Sequence, residues 1–307
     1  MPLVTSKEML QLALERHFAI GAFNANNMEQ IQAIVETAQE ERAPVILQVS
    51  QGAIRYAGLE FAAGMVKIAA SLVDVPVVLH LDHGTDFDQN VLCLRAGFTS
   101  LMYDGSKKSF EENVATTKRI VEIAHICGIP VEAELGRVAR IEEGLSPEQV
   151  HALMTDPDQA AEFIRLTGAD SLAIACGSVH GMEVREAELD IDRIVAVRKA
   201  TNVPLVLHGS SGVTHESILA GIEAGLCKIN VATYLNQAFV QGIHEGVKAH
   251  PDEIDPRKYL ERSRKLVKEA VREKIRLFGS AGLISAGGGF VSPPKQFRSA
   301  KIGGTEE

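Results

Sequence analysis

Residues 77–84 read VVLHLDHG, an apolar run that ends in an aspartate, a histidine and a glycine. A short apolar run bounded by polar residues in this way is typical of a strand buried on both faces. Eight such runs follow one another along the chain, at residues 19–23, 45–49, 77–81, 100–103, 131–134, 171–175, 205–207 and 228–231. Prolines at positions 44, 76, 130 and 204 come just before four of these runs and end the preceding helix. The pattern therefore predicts evenly spaced strands.

The segments between the runs carry apolar residues at the three- and four-residue spacing of an amphipathic helix. Ile31, Ile34 and Val35 share one face in the first segment, and Ser109 with Glu112 forms a capping box before a later one. Eight strands that each precede a helix, within about 250 residues, predict a (β/α)8 TIM barrel in a single domain. A doubly wound sheet is the structural alternative, but eight evenly spaced units favour a closed barrel.

Both flanks of the barrel have a pattern of their own. Met9, Leu10 and Ala13 predict a helix that covers the bottom of the barrel, and residues 256–278 predict one long basic amphipathic helix. We therefore expect a barrel domain over residues 1–282, with the C-terminal helix included. Residues 283–307 are rich in Gly, Ser and Pro, which predicts a mobile tail.

The composition excludes several classes of protein. Lys and Arg total 31 against 40 Asp and Glu, so the chain carries a formal charge of −9 and no basic stripe for nucleic acid. No apolar stretch reaches the roughly 20 residues of a membrane helix, and Glu8 interrupts any N-terminal secretory signal. The four cysteines lie far apart without CxxC spacing, which predicts reduced thiols. We expect a cytoplasmic protein without a membrane partner.

Polar residues stand where the predicted strands end, and those ends build the active site of a barrel of this kind. They are Asp82, His83, Asp104, Glu134, His180, His208 and Asn230. Three histidines and a carboxylate at one barrel mouth are the ligand types of a Zn²⁺ site with an open position. The alternative is that each histidine caps a strand or bonds within the core on its own. His80 points with Asp82 and is expected in the core or behind the ligands.

Loops after the last strands give a second signal. Two of them read His208-Gly209-Ser210-Ser211-Gly212 and Asn230-Val231-Ala232-Thr233. Backbone N–H groups and a helix N-terminus at this place form the common phosphate site of such barrels, and a plain turn is the alternative. A metal beside a phosphate site suggests Lewis-acid polarisation of a phosphorylated carbonyl substrate. A Schiff base on Lys228 is the competing chemistry, but we expect Lys228 to begin its strand at the opposite end and to be structural.

One connection, at residues 136–156, is longer than a routine βα loop. It separates the fifth predicted strand from the next helix. Long loops on this face of a barrel are usually lids or active-site loops, so we expect this one to approach the site.

Five separated motifs occur in order: residues 78–84 read VLHLDHG, 131–136 VEAELG, 177–181 GSVHG, 204–209 PLVLHG and 228–231 KINV. With these motifs the sequence resembles the class II aldolases over about residues 3–282. The resemblance implies a (β/α)8 barrel and zinc-dependent cleavage of a phosphorylated ketose, fructose 1,6-bisphosphate or tagatose 1,6-bisphosphate. For fructose 1,6-bisphosphate the products would be dihydroxyacetone phosphate and glyceraldehyde 3-phosphate, formed reversibly through a Zn-stabilised enediolate in glycolysis and gluconeogenesis.

The resemblance also implies a role for each matching residue. The metal set would be His83, His180 and His208, with Glu134 as an alternative ligand and Asp104 beside them. Asp82 would exchange a proton with the C4 hydroxyl, and Glu142 would move the proton at the enediolate carbon. The dihydroxyacetone phosphate part would be held by Gly181, Gly209, Ser210, Ser211, Asn230, Val231, Ala232 and Thr233. A monovalent cation, Na⁺ or K⁺, is implied near that phosphate.

This chain departs from the family pattern at several positions. Ala139-Arg140 stands where relatives often carry Gly-Gly, which should stiffen the loop that carries Glu142. Lys107 replaces a frequent histidine, and Tyr234 replaces a frequent acid. Glu183-Val184 replaces a Tyr-Lys pair, so Arg185 is a candidate substitute for a phosphate-binding lysine.

Both the sugar bisphosphate substrate and the functional class of the protein have an alternative. Residues 230–233 lean towards the tagatose-type subgroup, whereas residues 111–113 and 255–259 resemble fructose-type chains, and we favour fructose 1,6-bisphosphate. A non-catalytic sugar-phosphate-binding barrel is the alternative from another class, but it would need neither Asp82 nor Glu142. Arg55 and the basic C-terminal helix are the candidates for binding the second phosphate, and this contact could cross a subunit boundary. Family habit implies a homo-oligomer, either a dimer or a tetramer.

Overall fold

Parallel strands dominate the computed structural model, which describes residues 3–182 and 184–291. Numbered in chain order, the strands are β1 (Ile20–Asn24), β2 (Val45–Ser50), β3 (Val77–Asp82), β4 (Leu101–Tyr103), β5 (Val131–Leu135), β6 (Ala139–Arg140), β7 (Ser171–Ile174), β8 (Val179–His180), β9 (Leu205–Leu207) and β10 (Leu226–Val231). All but β6 and β8 belong to one eight-stranded sheet. These eight strands coincide with the eight predicted runs to within one or two residues.

The eight-stranded sheet closes on itself. Its order is β3-β2-β1-β10-β9-β7-β5-β4, and neighbouring strands within it pair in parallel. The two outer strands of that order also meet, because the Leu81 N–H donates to the Ser100 carbonyl at 3.1 Å and the Asp104 N–H to the Gly84 carbonyl at 2.8 Å. The predicted (β/α)8 barrel is therefore confirmed, and the doubly wound alternative is excluded.

Helices follow the barrel strands and surround them. They are α1 (Ser6–Arg16), α2 (Met28–Glu40), α3 (Gln51–Ala57), α4 (Leu59–Ser71), α5 (Phe87–Arg95), α6 (Phe110–Ile126), α7 (Pro147–Ala152), α8 (Pro157–Thr167), α9 (Ile191–Thr201), α10 (His215–Ala224), α11 (Thr233–Ala249) and α12 (Pro256–Leu277). The predicted capping box forms at the start of α6, where the Ser109 and Glu112 side chains each accept from the other's backbone N–H. None of the described helices is long and apolar enough to cross a membrane.

The long connection after β5 has structure of its own. It contains β6, a short 3-10 turn at Ile141–Glu143 and helix α7. Strand β6 pairs in parallel with β8, with Arg140 opposite His180. This pairing holds the turn that carries Glu142 beside one of the predicted metal ligands, so the prediction that the loop approaches the site is confirmed.

The N-terminal helix α1 covers the bottom of the barrel. The buried side chains Met9 and Leu10 of α1 pack against Ile46 and Val78, which point into the barrel. The predicted bottom helix is therefore confirmed. This end of the barrel interior is therefore mostly apolar, and the buried hydroxyls of Ser6 and Ser100 hydrogen-bond there at 2.9 Å.

Residues 283–291 correct the predicted boundary between domain and tail. Leu283 and Ile284 are buried, and the Arg42 guanidinium donates to the Ile284 carbonyl at 3.0 Å. The Arg16 side chain donates to the Val291 carbonyl at 2.8 Å. Composition alone missed this, because two apolar residues suffice to anchor a Gly-rich segment. The rest of the predicted tail, residues 292–307, lies outside the described residues.

Helix α12 agrees with the predicted long basic helix to within one residue. Its buried side chains Val267, Val271 and Ile275 face the core. Several of its basic residues pair with the end of α2: Lys268 with Glu40 at 2.5 Å and Arg276 with Glu41 at 2.8 Å. Much of the positive charge of α12 is therefore used within the chain.

Replacement of Leu283 by alanine is expected to lower the free energy of unfolding by about 2–4 kcal/mol, because a buried leucine is replaced by a cavity. The side chain is only 1% exposed. Denaturant unfolding followed by circular dichroism measures the change. Ile254→Ala is the control, since Ile254 is 93% exposed and should shift the value by less than about 0.5 kcal/mol. Equal values for the two variants would show that residues 283–291 do not belong to the packed domain.

Candidate active site

A cavity of about 880 Å³ opens at the carboxyl ends of the barrel strands. Nearly all predicted site residues line it, namely Asp82, His83, Asp104, Glu134, Glu142, His180, Gly181, Gly209, Ser210, Ser211, Asn230, Ala232 and Thr233. His208 lies directly beneath, fully buried, with its ring against that of His83. Val231 is the exception, because successive strand residues face opposite sides and its side chain packs in the hydrophobic core. We therefore correct its predicted contact with substrate, as far as the side chain is concerned.

Asp82 and His83 face the same cavity although they are consecutive residues. In a regular strand they would point to opposite sides. The backbone resolves this at His83, whose φ of 49° is in the left-handed region that non-glycine residues rarely occupy. Gly84 follows because a Cβ there would lie 2.5 Å from the Met102 carbonyl oxygen. The sequence Asp-His-Gly therefore directs the side chains of an acid and a histidine into one cavity.

Three histidine rings meet at this point. The His83 Nε2 and His208 Nδ1 atoms are 3.0 Å apart, and the His180 ring centroid lies 5.5 Å from that of His83. One nitrogen from each of the three rings falls within 4.8 Å of the others. The predicted histidines are thus brought together from three different strands or strand ends.

Each of two rings turns its other nitrogen to a carboxylate. The His83 Nδ1 lies 2.8 Å from Asp104 Oδ2, and the His208 Nε2 lies 3.1 Å from Glu132 Oε1. Ring nitrogens that donate to carboxylates leave the opposite nitrogens as lone-pair donors. Two such nitrogens 3.0 Å apart repel each other unless a proton or a metal cation lies between them. The donor set therefore fits a bound metal ion.

Glu134 adds a further observation for a metal. Its Oε2 atom is buried without a hydrogen-bond partner, and it lies 3.8 Å from both His83 Nδ1 and His208 Nδ1. His83, Asp104 and Glu134 also form a second group of closely spaced donor atoms. Buried polar atoms are normally satisfied, so an unpaired carboxylate oxygen here indicates a missing partner. Asp104, predicted in the metal set, hydrogen-bonds to the ligand histidine and to the Ser106 hydroxyl at 2.6 Å.

Burial keeps two of the histidines in the form that binds metals. Burial, together with the positive charge of His83, lowers the pKa of His180 to about 4. Burial, followed by the charges of His83 and Lys228, lowers the pKa of His208 well below its usual value. Neutral imidazole is the coordinating form, so both rings have a free lone pair at neutral pH.

The third histidine is coupled to its acids. Burial lowers the pKa of His83, but the charge of Asp82 and the hydrogen bond with Asp104 outweigh it and raise the pKa to about 9. Burial and the neighbouring charge of Asp104 raise the pKa of Glu134 to about 8. The carboxylates around the His83 ring raise its pKa, whereas the pKa of Glu134 is raised first by burial, so negative charge is concentrated beside His83. Such a site attracts cations.

Two amides fix the orientation of the Asp82 carboxylate. The Asn24 Nδ2 donates to Asp82 Oδ2 at 2.8 Å, and the Asn230 Nδ2 donates to Asp82 Oδ1 at 3.4 Å. Gln48 in turn donates to the Asn24 Oδ1 at 2.6 Å, which sets the direction of the Asn24 amide. Sequence reasoning missed Asn24 and Gln48. Their position at or near strand ends was the available signal.

The residues predicted to hold phosphate form another part of the cavity wall, and none of them has a charged side chain. Gly181 and Gly209 have φ values of 84° and 66°, so their backbones turn as L side chains rarely permit. Ser210–Gly212 form a short 3-10 turn, and Thr233 begins helix α11. Backbone N–H groups at a helix start and in tight turns form a cradle for an anion. The rim is basic instead, with Arg55, Lys107, Lys108, Arg137 and Arg140.

Arg185 does not take the place proposed for it at the phosphate wall. Its Nη1 atom lies 2.6 Å from His215 Nε2, and its Nη2 donates to Glu273 at 3.2 Å. Tyr234 also donates to Glu273, and Lys274 donates to the same carboxylate at 3.2 Å. These two departures from the family pattern therefore form a separate polar cluster with α12. Glu183 lies outside the described residues.

Lys228 corrects another expectation. The strand β10 begins at Leu226, so Lys228 lies inside the strand rather than at its start. It points into the barrel two residues below Asn230, and its Nζ is 2.9 Å from Glu132 Oε2. The structural role expected for Lys228 is supported by this pairing. Glu132 was missed by sequence reasoning, although its spacing of two from Glu134 places it on the same inward face.

A family model for fructose-bisphosphate aldolase class-II matches residues 4–283. The chain belongs to the class-II fructose-bisphosphate aldolase family. The "Probable fructose-bisphosphate aldolase" of Bacillus subtilis is 46% identical over 284 residues, which cover 92% of this chain and 99% of that protein. The fructose-bisphosphate aldolase of Thermus caldophilus is 43% identical over 303 residues, which cover 91% and 99%.

Solved structures agree with this membership of the class II aldolases. The crystal structure of the YdjI aldolase from Escherichia coli matches with a TM-score of 0.79 and 38% identity, and the match covers 91% of this chain and 98% of that chain. The predicted family and the predicted enzyme class, an aldehyde-lyase, are thereby confirmed. The family is metal-dependent, in agreement with the donor groups of this class II aldolase.

His180→Ala is expected to lower the affinity for Zn²⁺ by more than about 100-fold, since loss of an outer partner of a ligand alone costs about 10–100-fold. Zinc content after dialysis and competition with a chelator measure the effect. His125→Ala is the control, because His125 bonds Asp170 away from the cavity. Equal zinc affinity for both variants would remove His180 from the metal site.

Proposed function

We propose that this chain is a zinc-dependent fructose-1,6-bisphosphate aldolase that forms dihydroxyacetone phosphate and glyceraldehyde 3-phosphate reversibly. One observation carries the proposal: His83, His180 and His208 converge within 4.8 Å directly beside the buried carboxylate of Asp82. Relatives at 43–46% identity are named fructose-bisphosphate aldolases. A site that only bound sugar phosphates would not need an acid aligned beside a metal set.

We propose Zn²⁺ as the metal, held by His83, His180 and His208 with Glu134 in reach as an alternative ligand. Neutral imidazoles with a carboxylate nearby are typical zinc ligands. When bound, Zn²⁺ supplies a Lewis acid that stabilises the negative charge left on the substrate as the C3–C4 bond breaks. A monovalent cation, Na⁺ or K⁺, near the phosphate loops completes the proposed cofactors.

Asp82 is the proposed base for the C4 hydroxyl. As its carboxylate takes that proton, C4 becomes the aldehyde carbon, the C3–C4 bond breaks and the electron pair passes to C3. The two amides on Asp82 fix which oxygen faces the substrate, and Asn24 occupies the other one at 2.8 Å. Fixed geometry of this kind lets a general base act without reorganisation.

Glu142 is proposed to return a proton to the enediolate carbon. It lies in the 3-10 turn after β6 and lines the cavity. Its Oε1 atom is adjacent to Gly181, because a Cβ added at that glycine would lie only 3.6 Å from it. The pairing of Arg140 with His180 ties this turn to the site. Arg137 holds the adjacent Glu143 at 2.7 Å, so Glu142 is the acid of this pair left for the cavity.

The two phosphates have different proposed sites. The phosphate of the dihydroxyacetone phosphate part would meet Gly181, Gly209, the Ser210–Ser211 turn and the start of α11, where backbone N–H groups are available. The second phosphate would meet the basic rim around Arg55, Lys107 and Arg140. Arg257, at the start of α12, has an 87% exposed side chain that pairs with Asp255 at 2.6 Å, and it is not among the residues that line the cavity.

We further propose a cytoplasmic homo-oligomer. An exposed apolar row, formed by Phe61 and Ile68 on α4 and by Leu72 directly after it, is suited to subunit contact. The described cysteines carry no disulfide, in keeping with a reducing compartment.

The decisive experiment compares the two C4 epimers. Zinc-loaded protein is expected to cleave fructose 1,6-bisphosphate at least about tenfold faster than tagatose 1,6-bisphosphate, as a coupled assay for dihydroxyacetone phosphate measures. EDTA should abolish the activity and Zn²⁺ restore it, whereas borohydride with substrate should have no effect because Lys228 is paired and buried. A faster rate on the tagatose epimer would change the substrate, and no cleavage of either would favour a binding barrel.

Asp82→Asn is expected to lower kcat about 10²–10⁴-fold, because the amide cannot accept the C4 proton. Zinc content should stay near that of the wild type, which separates loss of the base from loss of the metal. Asp88→Asn, an exposed position on α5, is the matched control. Wild-type kcat for Asp82→Asn would exclude Asp82 as the base.

A further inference from the structure

A buried ion pair lies directly beneath the three histidines. The Lys228 Nζ is 2.9 Å from Glu132 Oε2 and 3.1 Å from Glu132 Oε1, and each side chain is only 1% exposed. Glu132 stands two residues before Glu134, and Lys228 two residues before Asn230, so both point inward one layer deeper. Neither residue has a role in the proposed chemistry.

Glu132 reaches upward as well as sideways. The same Oε1 atom that pairs with Lys228 lies 3.1 Å from the His208 Nε2. A carboxylate only accepts hydrogen bonds, so this contact is favourable when Nε2 carries the ring proton. The other nitrogen of His208, Nδ1, then keeps its lone pair and faces His83 Nε2 at 3.0 Å.

One neighbour would favour the opposite tautomer. The Asn230 Nδ2 lies 3.2 Å from the same His208 Nε2 and could donate to it. It also has Asp82 Oδ1 as an acceptor at 3.4 Å. A hydrogen bond to a charged carboxylate is stronger than one to a neutral ring nitrogen, so Glu132 decides the tautomer.

The Lys228 ammonium is the direct ion-pair partner of the Glu132 carboxylate in this buried position. An ionised carboxylate without a partner is strongly disfavoured in a buried position. His80 does not supply the charge, because its Nδ1 contacts Ser100 at 2.8 Å and its Nε2 stays 3.7 Å from Glu132. Lys228 is the cation bonded directly to Glu132 among the described residues.

We propose that Glu132, held in place by its ion pair with Lys228, is the positioning residue that fixes His208 as an Nδ1 metal ligand. The inference rests on the proposed function in one respect, that His208 binds the metal. It assigns a purpose to the buried lysine other than Schiff-base chemistry. It also gives His208 the same arrangement that Asp104 gives His83, an outer carboxylate behind a coordinating ring.

Glu132→Gln is the first test. Its amide can donate to Nε2, which favours the tautomer with a proton on Nδ1, where the metal would bind. Zinc affinity, measured by chelator competition, is expected to fall about 10–100-fold. The absorption spectrum of the Co²⁺-substituted protein is expected to change as well, and neither measurement depends on turnover.

The double variant Glu132→Met/Lys228→Met separates positioning from charge balance, because methionine cannot accept a hydrogen bond from the His208 ring as a carboxylate or an amide oxygen can. It removes both buried charges and keeps similar volumes, so the thermal midpoint is expected to recover relative to either single variant. If the pair acts only as structural support, zinc affinity recovers with the midpoint. If Glu132 positions His208, zinc affinity stays about 10–100-fold low while the midpoint recovers.

The outcomes distinguish this inference from the proposed function. Wild-type protein that binds no zinc would overturn both. Wild-type protein that binds zinc, together with a double variant of equal zinc affinity, would overturn the positioning role alone. Glu148→Gln, at an exposed position on α7, is the matched control and should change neither zinc affinity nor the Co²⁺ spectrum.

Discussion

The parallel closure of eight strands is the constraint on which the site depends. Because every barrel strand runs in one direction, the residues that end the strands share one face, and residues two positions earlier share the layer beneath. Asp82, Glu134 and Asn230 occupy the upper layer, while Glu132 and Lys228 occupy the layer directly beneath it. Apolar side chains packed against α1 lie at the bottom of the barrel, below these charges. A single topological rule thus places the proposed reacting groups over the residues proposed to support them.

Charge is divided unequally around the cavity. Carboxylates gather on the side of His83, where they raise the pKa of that ring to about 9 after burial has been overcome. The wall near Gly209 and the start of α11 offers backbone N–H groups, and the rim offers Arg and Lys side chains. The proposed cation and the proposed phosphate would therefore have separate places within about 880 Å³. This separation is what a metal-assisted reaction of a phosphorylated substrate requires.

The sequence was sufficient for the barrel and for the members of the site that end strands, because both follow from local periodicity. It could not reveal the left-handed backbone at His83, since that conformation results from the approach of Gly84 to the neighbouring strand. The pairing of β6 with β8 was equally hidden, because it joins residues about 40 positions apart. Arg185 was assigned by analogy to a phosphate, whereas its partner Glu273 lies on α12, far along the chain. Long-range partners decide such cases, and spacing alone carries no information about them.

The ion pair of Glu132 with Lys228 constrains which substitutions this sequence can accept during evolution. A mutation at either position alone leaves the other charge buried and uncompensated, which is commonly costly by about 3–5 kcal/mol. Single substitutions there pass through a weakened intermediate, so descendants are expected to keep both residues or to exchange both. The two positions, 96 apart in the chain, should therefore vary together among homologous sequences.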